Sequence, residues 1–174
     1  WFSDSDHEFI KPNKKFISVF DITPTREVYK KTLLHLYHFS NVDYCINFLE
    51  DIYKIAEKFN YLVVLKNKRP LNNLHHPKYI KFLNDFEKLN NSLIVHPDVS
   101  AFNIIEQSSR IISVPFSSPS IIGKINKIPS IFYDPRSVYL KNNPAAHDVE
   151  IVHNKSALEK WIVNTELQKN DSVQ

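Results

Sequence analysis

Glycine is almost missing from this chain: Gly123 is the only one in 174 residues. The Gly-rich phosphate loops of dinucleotide enzymes, kinases and P-loop proteins need several glycines for their tight turns, so those classes are excluded. Cysteine is equally scarce. Cys45 stands alone, so no internal disulfide can form and nothing points to an oxidising compartment. It falls within a helical pattern, where a thiol packs as a small hydrophobe. Methionine is absent and the chain begins at Trp1, which reads as a piece of a longer protein. No apolar run is long enough to cross a bilayer and no signal peptide is visible. The expected location is cytoplasmic, with at most peripheral contact at the inner membrane surface. Neither sign of charge dominates: 22 Lys and Arg against 19 Asp and Glu leave +3. That is too little to argue for nucleic acid, though a small phosphorylated ligand would be attracted. There is no internal repeat and no low-complexity segment.

What is present is a series of short apolar runs separated by helical patterns. Residues 1–15 read as a polar lead-in or linker. The strand candidates are Phe16–Phe20, Tyr61–Leu65, Ser92–Val95, Arg110–Val114, Pro129–Tyr133 and Val149–Val152. Between them, Cys45, Phe48, Leu49, Ile52, Ala56 and Phe59 recur at helical spacing behind a cap at Asn41 or Asp43, with Glu50 and Lys54 paired on the outer side. A second helix is expected over Pro77–Leu89, and a short one behind Asp98 or Ser100 through Glu106. Another should open at Ser118-Pro119, burying Ile121, Ile122, Ile125 and Ile128, and a last one should follow Ser156. Residues 136–147 read as loop and 169–174 as a flexible tail. Continuous Val, Ile, Leu and Phe runs alternating with helices predict one α/β domain over 16–168. It should be a three-layer Rossmann-like parallel sheet of about six strands with helices on both faces.

Right-handed crossovers bring the C-terminal ends of all the strands to one edge, where ligands of such sheets bind. The loops there carry Asp21, Thr23 and Arg26; Lys66, Lys68 and Arg69; His96 and Asp98; Ser117, Ser118 and Ser120; Asp134 and Arg136. A helix N-terminus rich in hydroxyls is a natural phosphate cradle, because free N–H groups and the positive end of the helix dipole face the anion. Many strand–cap–helix joints bind nothing, and loops are polar in any case. What favours a phosphate is the joint presence of His96 and the serine cluster on neighbouring strands. Gly123 costs its helix about 1 kcal/mol relative to Ala, so it reads as a position where the helix must approach the sheet or a ligand closely.

The pairs His96-Pro97 and Ser117-Ser118 resemble the "HP" and "SS" motifs of bacterial sialyltransferases and of glycerophosphotransferases acting on CDP-glycerol. The wider wording Ile94-Val-His-Pro-Asp98, Val114-Pro-Phe-Ser-Ser-Pro119 and Ile131-Phe-Tyr-Asp-Pro135 resembles bacterial polysaccharide-biosynthesis proteins with a PFTS motif, here Pro115-Phe116-Ser117-Ser118. The resemblance covers roughly residues 16–165. It implies the C-terminal, donor-binding half of a glycosyltransferase of GT-B architecture, acting in capsule or lipopolysaccharide synthesis. The implied donor is a nucleotide-activated sugar, with CMP as the nucleotide. His96 would be the catalytic residue, bonding the donor phosphate and helping the nucleotide leave, and Ser117, Ser118 and Ser120 would hold the same phosphate. Neither metal nor cofactor is expected. The acidic-acidic-Gly motif that carries the general base of sialyltransferases is not matched: Glu50-Asp51 is followed by Ile52 inside a helix. The base and the glycan-acceptor site are therefore expected on an N-terminal domain outside this chain, and the fragment alone should bind nucleotide without catalysis.

Asp21, Thr23, Arg26, Lys66 and Asp134 are secondary candidates for the same ligand, each with an ordinary turn-forming or solvated role as the alternative. His35 and His38 could share a metal if helical, but no carboxylate spacing supports it. Two other readings remain open: a sugar-nucleotide epimerase of the same architecture, and a non-catalytic Rossmann-like domain that binds a partner.

Overall fold

The structure is a computed structural model that describes residues 9–32 and 41–171. Its strands are β1 (Phe16–Phe20), β2 (Leu62–Lys66), β3 (Ser92–Val95), β4 (Arg110–Ser113), β5 (Ser130–Asp134) and β6 (Glu150–His153). The helices are α1 (Glu27–Thr32), α2 (Val42–Lys58), α3 (Pro77–Phe86), α4 (Ala101–Gln107), α5 (Ser118–Ile125) and α6 (Asn154–Asp171). A single 3₁₀ turn, Pro144–Ala146, interrupts the segment expected to be loop. The His35/His38 pair lies outside the described residues.

All five strand pairings are parallel, and the order is β3-β2-β1-β4-β5-β6. This is the doubly wound Rossmann arrangement, which starts at the centre and runs outward in both directions. Helices α2, α3 and α6 cover one face, closing a core built on Tyr44, Phe48, Ile52, Tyr79, Leu83 and Leu158 against the sheet. The other face carries α4 and α5, with Ile104, Ile105 and Ile122 on Val64 and Ile111. Phe9, in the segment expected to be a linker, is buried edge-on against Phe16 at 5.8 Å and belongs to this second core.

The start of α2 falls at one of its two expected caps, and those of α5 and α6 shift by a residue or two. Asn41 caps α2 by accepting from the N–H groups of Asp43 and Tyr44, and α6 begins at Asn154, whose side chain accepts from the Ala157 N–H. In α5, Ser117 rather than Ser118 is the N-cap, with Pro119 one position further in. Of the four isoleucines expected on the apolar side of α5, Ile121, Ile122 and Ile128 pack against the core and one does not. Ser120 and Gly123 lie against the sheet, and Ile125 is 74% exposed. Ser113 Oγ lies 2.6 Å from Ser120 Oγ, which donates to the Ile131 carbonyl. A Cβ on Gly123 would fall 2.2 Å from Ile111 Cδ1 and 2.3 Å from Ser130 Oγ. The chain's one glycine thus serves the close seating of α5 on β4 and β5. The left-handed backbone positions are filled instead by Asn60, Phe116, Lys127, Ser137, His147, Asp148 and Asn154, which L-residues adopt at a cost of about 1 kcal/mol or more each.

Candidate functional site

The sheet order reverses between β1 and β4, so the crevice of this fold opens between the loops that leave those two strands. Asp21 follows β1, and the Pro115-Phe116-Ser117-Ser118 turn follows β4. Phe116 sits at φ 65°, which a bulky L-residue holds only when its surroundings enforce it. They do: its ring stands edge-on to Tyr139 at 4.9 Å and tilted against Phe132 at 6.1 Å. The strained residue aims the chain into α5. Ser117 then turns its hydroxyl back onto the Val114 carbonyl at 2.8 Å and makes no capping bond to the helix. Ser118 is exposed at the first helical position. The start of α5 is therefore left without a side-chain cap on the rim where an anion would be stabilised.

Ser120 does not join this cradle. It is fully buried with its hydroxyl committed to Ser113 and to the β5 backbone, because the i, i+3 pair Ser120 and Gly123 forms the stripe on which the helix sits. Nor are His96 and the serines on neighbouring strands. β2 and β1 stand between β3 and β4, and three strand spacings amount to about 14 Å along the edge. Both ends lie on the same rim, but they are delivered from opposite sides of the switch point.

His96 is half exposed. Its Nδ1 accepts the Asp98 N–H at 3.3 Å and lies 3.7 Å from the Asp98 carboxylate. With Nδ1 an acceptor, the neutral ring carries its proton on Nε2. The turn that holds it is pinned from below. Lys66 is 7% exposed, and its ammonium donates to the carbonyls of Pro97 and Asn67. Burial holds the Lys66 pKa below its ordinary value. This lysine thus spends its donors on the His-Pro loop instead of facing a ligand, whereas Lys68 and Arg69 beyond it are exposed.

Asp21 is a strongly perturbed carboxyl on the rim. Its carboxyl is buried, Oδ2 accepts the Tyr79 hydroxyl from α3, and Oδ1 has no partner. Burial raises its pKa to about 6 against the opposing pull of Tyr79 and of its own backbone N–H. Thr23 is half-buried in the following loop. Arg26 is exposed and donates to the His75 carbonyl at 3.4 Å. Asp134 is fully buried at the end of β5. One oxygen takes the Arg136 N–H at 3.3 Å and the Tyr44 hydroxyl at 3.4 Å, and the other takes the Tyr139 N–H at 2.9 Å. It is the anchor of its own turn. Asp51, of the Glu50-Asp51 pair, accepts the Tyr133 hydroxyl at 2.9 Å.

Two rim residues are not legible as candidates in the sequence. Asn67 reads as part of a basic loop, yet it is 4% exposed and its Oδ1 has no partner. His153 reads as the boundary between a strand and a helix. It ends β6 with Nε2 buried, unpartnered and 3.9 Å from Asp134 Oδ2. Asn67, Pro70, Leu71, Ile94, His96 and Pro97 line a cleft of about 400 Å³ on this rim. A larger one, about 510 Å³, lies at the opposite edge beside Lys14, Lys15, Tyr61 and Glu166, away from the switch point. Among the described residues no three His, Cys, Asp or Glu side chains gather as metal ligands, and no helix is long and apolar enough to cross a membrane.

The family model of the polysaccharide biosynthesis PFTS motif proteins matches residues 1–162. The chain belongs to that family. The stretch that resembles a PFTS motif, Pro115-Phe116-Ser117-Ser118, is the strained turn at the switch point. No curated protein matches. Among solved structures, the chain is similar to Thermosulfurimonas dismutans KpsC, a beta Kdo 2,4 transferase, at 13% identity and a TM-score of 0.42. That similarity covers 72% of this chain and 35% of KpsC, so this PFTS-family chain spans about a third of that protein.

Proposed function

We propose that this chain is the nucleotide-sugar-binding part of a glycosyltransferase for a bacterial surface polysaccharide, with a CMP-activated sugar as the donor. The observation that carries the reading is the Pro115–Ser118 turn. A member of a polysaccharide-biosynthesis family holds this turn in a strained conformation, at the switch point of a Rossmann sheet, ahead of a helix with no side-chain cap. The donor phosphate sits at the start of α5, held by backbone N–H groups, the Ser118 hydroxyl and, once it swings off Val114, the Ser117 hydroxyl. These donors stabilise the charge that grows on the phosphate as the glycosidic bond breaks. His96 approaches from the β3 side and donates from Nε2. Lys66 keeps the His-Pro loop in place, and the acceptor and general base come from outside this chain.

Calorimetric titration of the 174-residue protein with CMP, CDP and UDP tests this. Binding of a cytidine nucleotide is expected, weakened about tenfold or more by Ser118→Ala and by His96→Ala, in line with the loss of a charge-assisted hydrogen bond. If none of the three nucleotides binds, the reading is wrong.

A further inference from the structure

Asp21 and Asn67 pose a problem that the phosphate cradle does not solve. Both are more than nine-tenths buried, and each leaves one oxygen without a hydrogen-bond partner. In this sheet they are neighbours. The register pairs Val19 with Leu65 and Lys66 with Val95. Continued past the strand ends, it sets Asp21 beside Asn67 and Asn67 beside His96. Asp21 and Asn67 lie on the α3 face, since Val19 and Leu65, two residues back, belong to the core on that side. Asp21 also flanks β4, where the Val114 N–H donates to the Phe20 carbonyl, so it stands between Asn67 and the Ser117–Ser118 turn. Asn67 lines the same cleft as His96. The row therefore bridges the two ends of the rim that the strand order separates.

Buried acceptors without donors are costly, and a pair of them at a switch point indicates what is missing. A phosphate would be repelled here, because it brings only acceptor oxygens. Hydroxyl groups would fit: each donates a hydrogen bond and tolerates an apolar wall. We infer that the carboxylate of Asp21 and the amide oxygen of Asn67 form a hydroxyl-binding floor that orients the donor between the phosphate cradle and His96. The inference rests on the nucleotide-sugar reading and deepens it. The hydroxyls come either from the ribose or from the transferred sugar, and Asp21 and Asn67 act as binding and positioning residues.

The titratable groups around Asp21 are Tyr79 on α3, Cys45 on α2, whose thiol donates to the Ile22 carbonyl at 3.2 Å, and Lys66 and His96 along the rim. Burial keeps the Tyr79 hydroxyl neutral, so it stays a donor to Asp21. Hydroxyls prefer the charged carboxylate as acceptor, so binding should weaken as Asp21 takes up a proton near its raised pKa of about 6.

The test is titration of the 174-residue protein, Asp21→Asn and Asn67→Ala with CMP, 2′-deoxy-CMP and CMP-N-acetylneuraminate, at pH 7.5 and pH 5. Asp21→Asn keeps an acceptor for Tyr79 and should stay folded; melting curves check this for both variants. The expected result is a loss of about tenfold at pH 7.5 in Asp21→Asn and a smaller loss in Asn67→Ala. The advantage of the wild type over Asp21→Asn should disappear at pH 5; any other group that titrates is common to both proteins and cancels. If the loss appears with CMP, and 2′-deoxy-CMP reproduces it in the wild type alone, the ribose supplies the hydroxyls. If it appears only with CMP-N-acetylneuraminate, the sugar does. Folded variants that bind all three probes like the wild type, while His96→Ala does not, overturn the inference and leave the nucleotide reading standing. Failure of the wild type to bind any probe overturns both.

Discussion

At the N-terminal edge of the sheet, Arg110 is wholly buried and every one of its nitrogens has a partner. Nε donates to Thr165 Oγ1 at 2.7 Å, Nη1 to the Tyr61 hydroxyl and Nη2 to the Ile162 carbonyl at 3.4 Å, with Glu166 at 3.2 Å and the Tyr61 ring beneath the guanidinium. At the C-terminal edge, Asp21, Asn67 and His153 each bury an atom that has none. These three are all the unpartnered buried side-chain atoms found among the described residues, and they follow or end β1, β2 and β6. The same sheet therefore has one edge whose polar groups are closed on themselves and one whose groups await something else. A fold under selection for stability alone would have closed both, so the contrast locates function without reference to any motif.

The sharpest way to break the contrast is Arg110→Met. The closed edge should behave as a structural cluster: Tyr61, Thr165 and Glu166 lose their shared partner and α6 loses its tether. Removing one member of a buried charged network costs about 3–5 kcal/mol. Urea denaturation should show that loss, with nucleotide affinity unchanged in the fraction that stays folded. If affinity fell and stability did not, the two edges would not be separate.

Asp21→Asn should move stability in the opposite direction. The Asp21 carboxyl has a folded pKa near 6 against an ordinary 3.8, so the folded state holds the proton more tightly than the unfolded one. Its contribution is fully present below the ordinary value and is lost as pH rises through about 6. At pH 7.5 the wild type carries a penalty of about 2–3 kcal/mol that the amide lacks, and near pH 4 the two proteins should converge. Denaturation curves at both values check this. A variant less stable than the wild type at pH 7.5 would mean that the carboxylate is satisfied and the open edge is not open there.

Gly123→Ala probes the scaffold under the open edge. The new methyl meets Ile111 and Ser130 well inside contact distance. Overpacking of about 2–3 kcal/mol, the upper part of the usual range because two contacts are this close, is offset by the roughly 1 kcal/mol that Ala contributes to a helix. A net loss of about 1–2 kcal/mol is expected in thermal or urea unfolding, with weaker nucleotide binding as the start of α5 lifts from β4. Unchanged stability would show that the helix is not seated by its glycine.

Much of this framework is legible in the residues. Phe16–Phe20 and Ser92–Val95 are strands as read, because continuous apolar runs between Asn, Asp and Pro punctuation have few other uses in a chain of this composition. The parallel sheet follows from the intervening helices. Strand order does not follow. A right-handed crossover is as good in either direction along the sheet, so nothing in the chain says that β4 returns to the far side of β1. That single choice separates His96 from Ser117. The orientation of α5 is largely recoverable: Ser120 and Gly123, three apart, are the small stripe a tightly seated helix requires, and Ile121, Ile122 and Ile128 pack on the same side while Ile125 faces out. Asn67 and His153 carried no signal at all, since an Asn behind a strand and a His before a helix are ordinary until burial is known.

The finest test of the open edge is whether its two ends act on one anion. A cycle of His96→Ala, Ser118→Ala and the double variant, each titrated with CMP, measures their coupling. If both contact the same phosphate, the losses are not additive and the coupling reaches about 0.5 kcal/mol or more. If the 14 Å implied by three strand spacings persists in the complex, the losses add within about 0.3–0.5 kcal/mol. His96 then grips a part of the donor remote from the cradle. Additivity would leave Asp21 and Asn67 bridging the two contacts, and would make the row along the sheet edge, rather than convergence on one phosphate, the organising feature of the site.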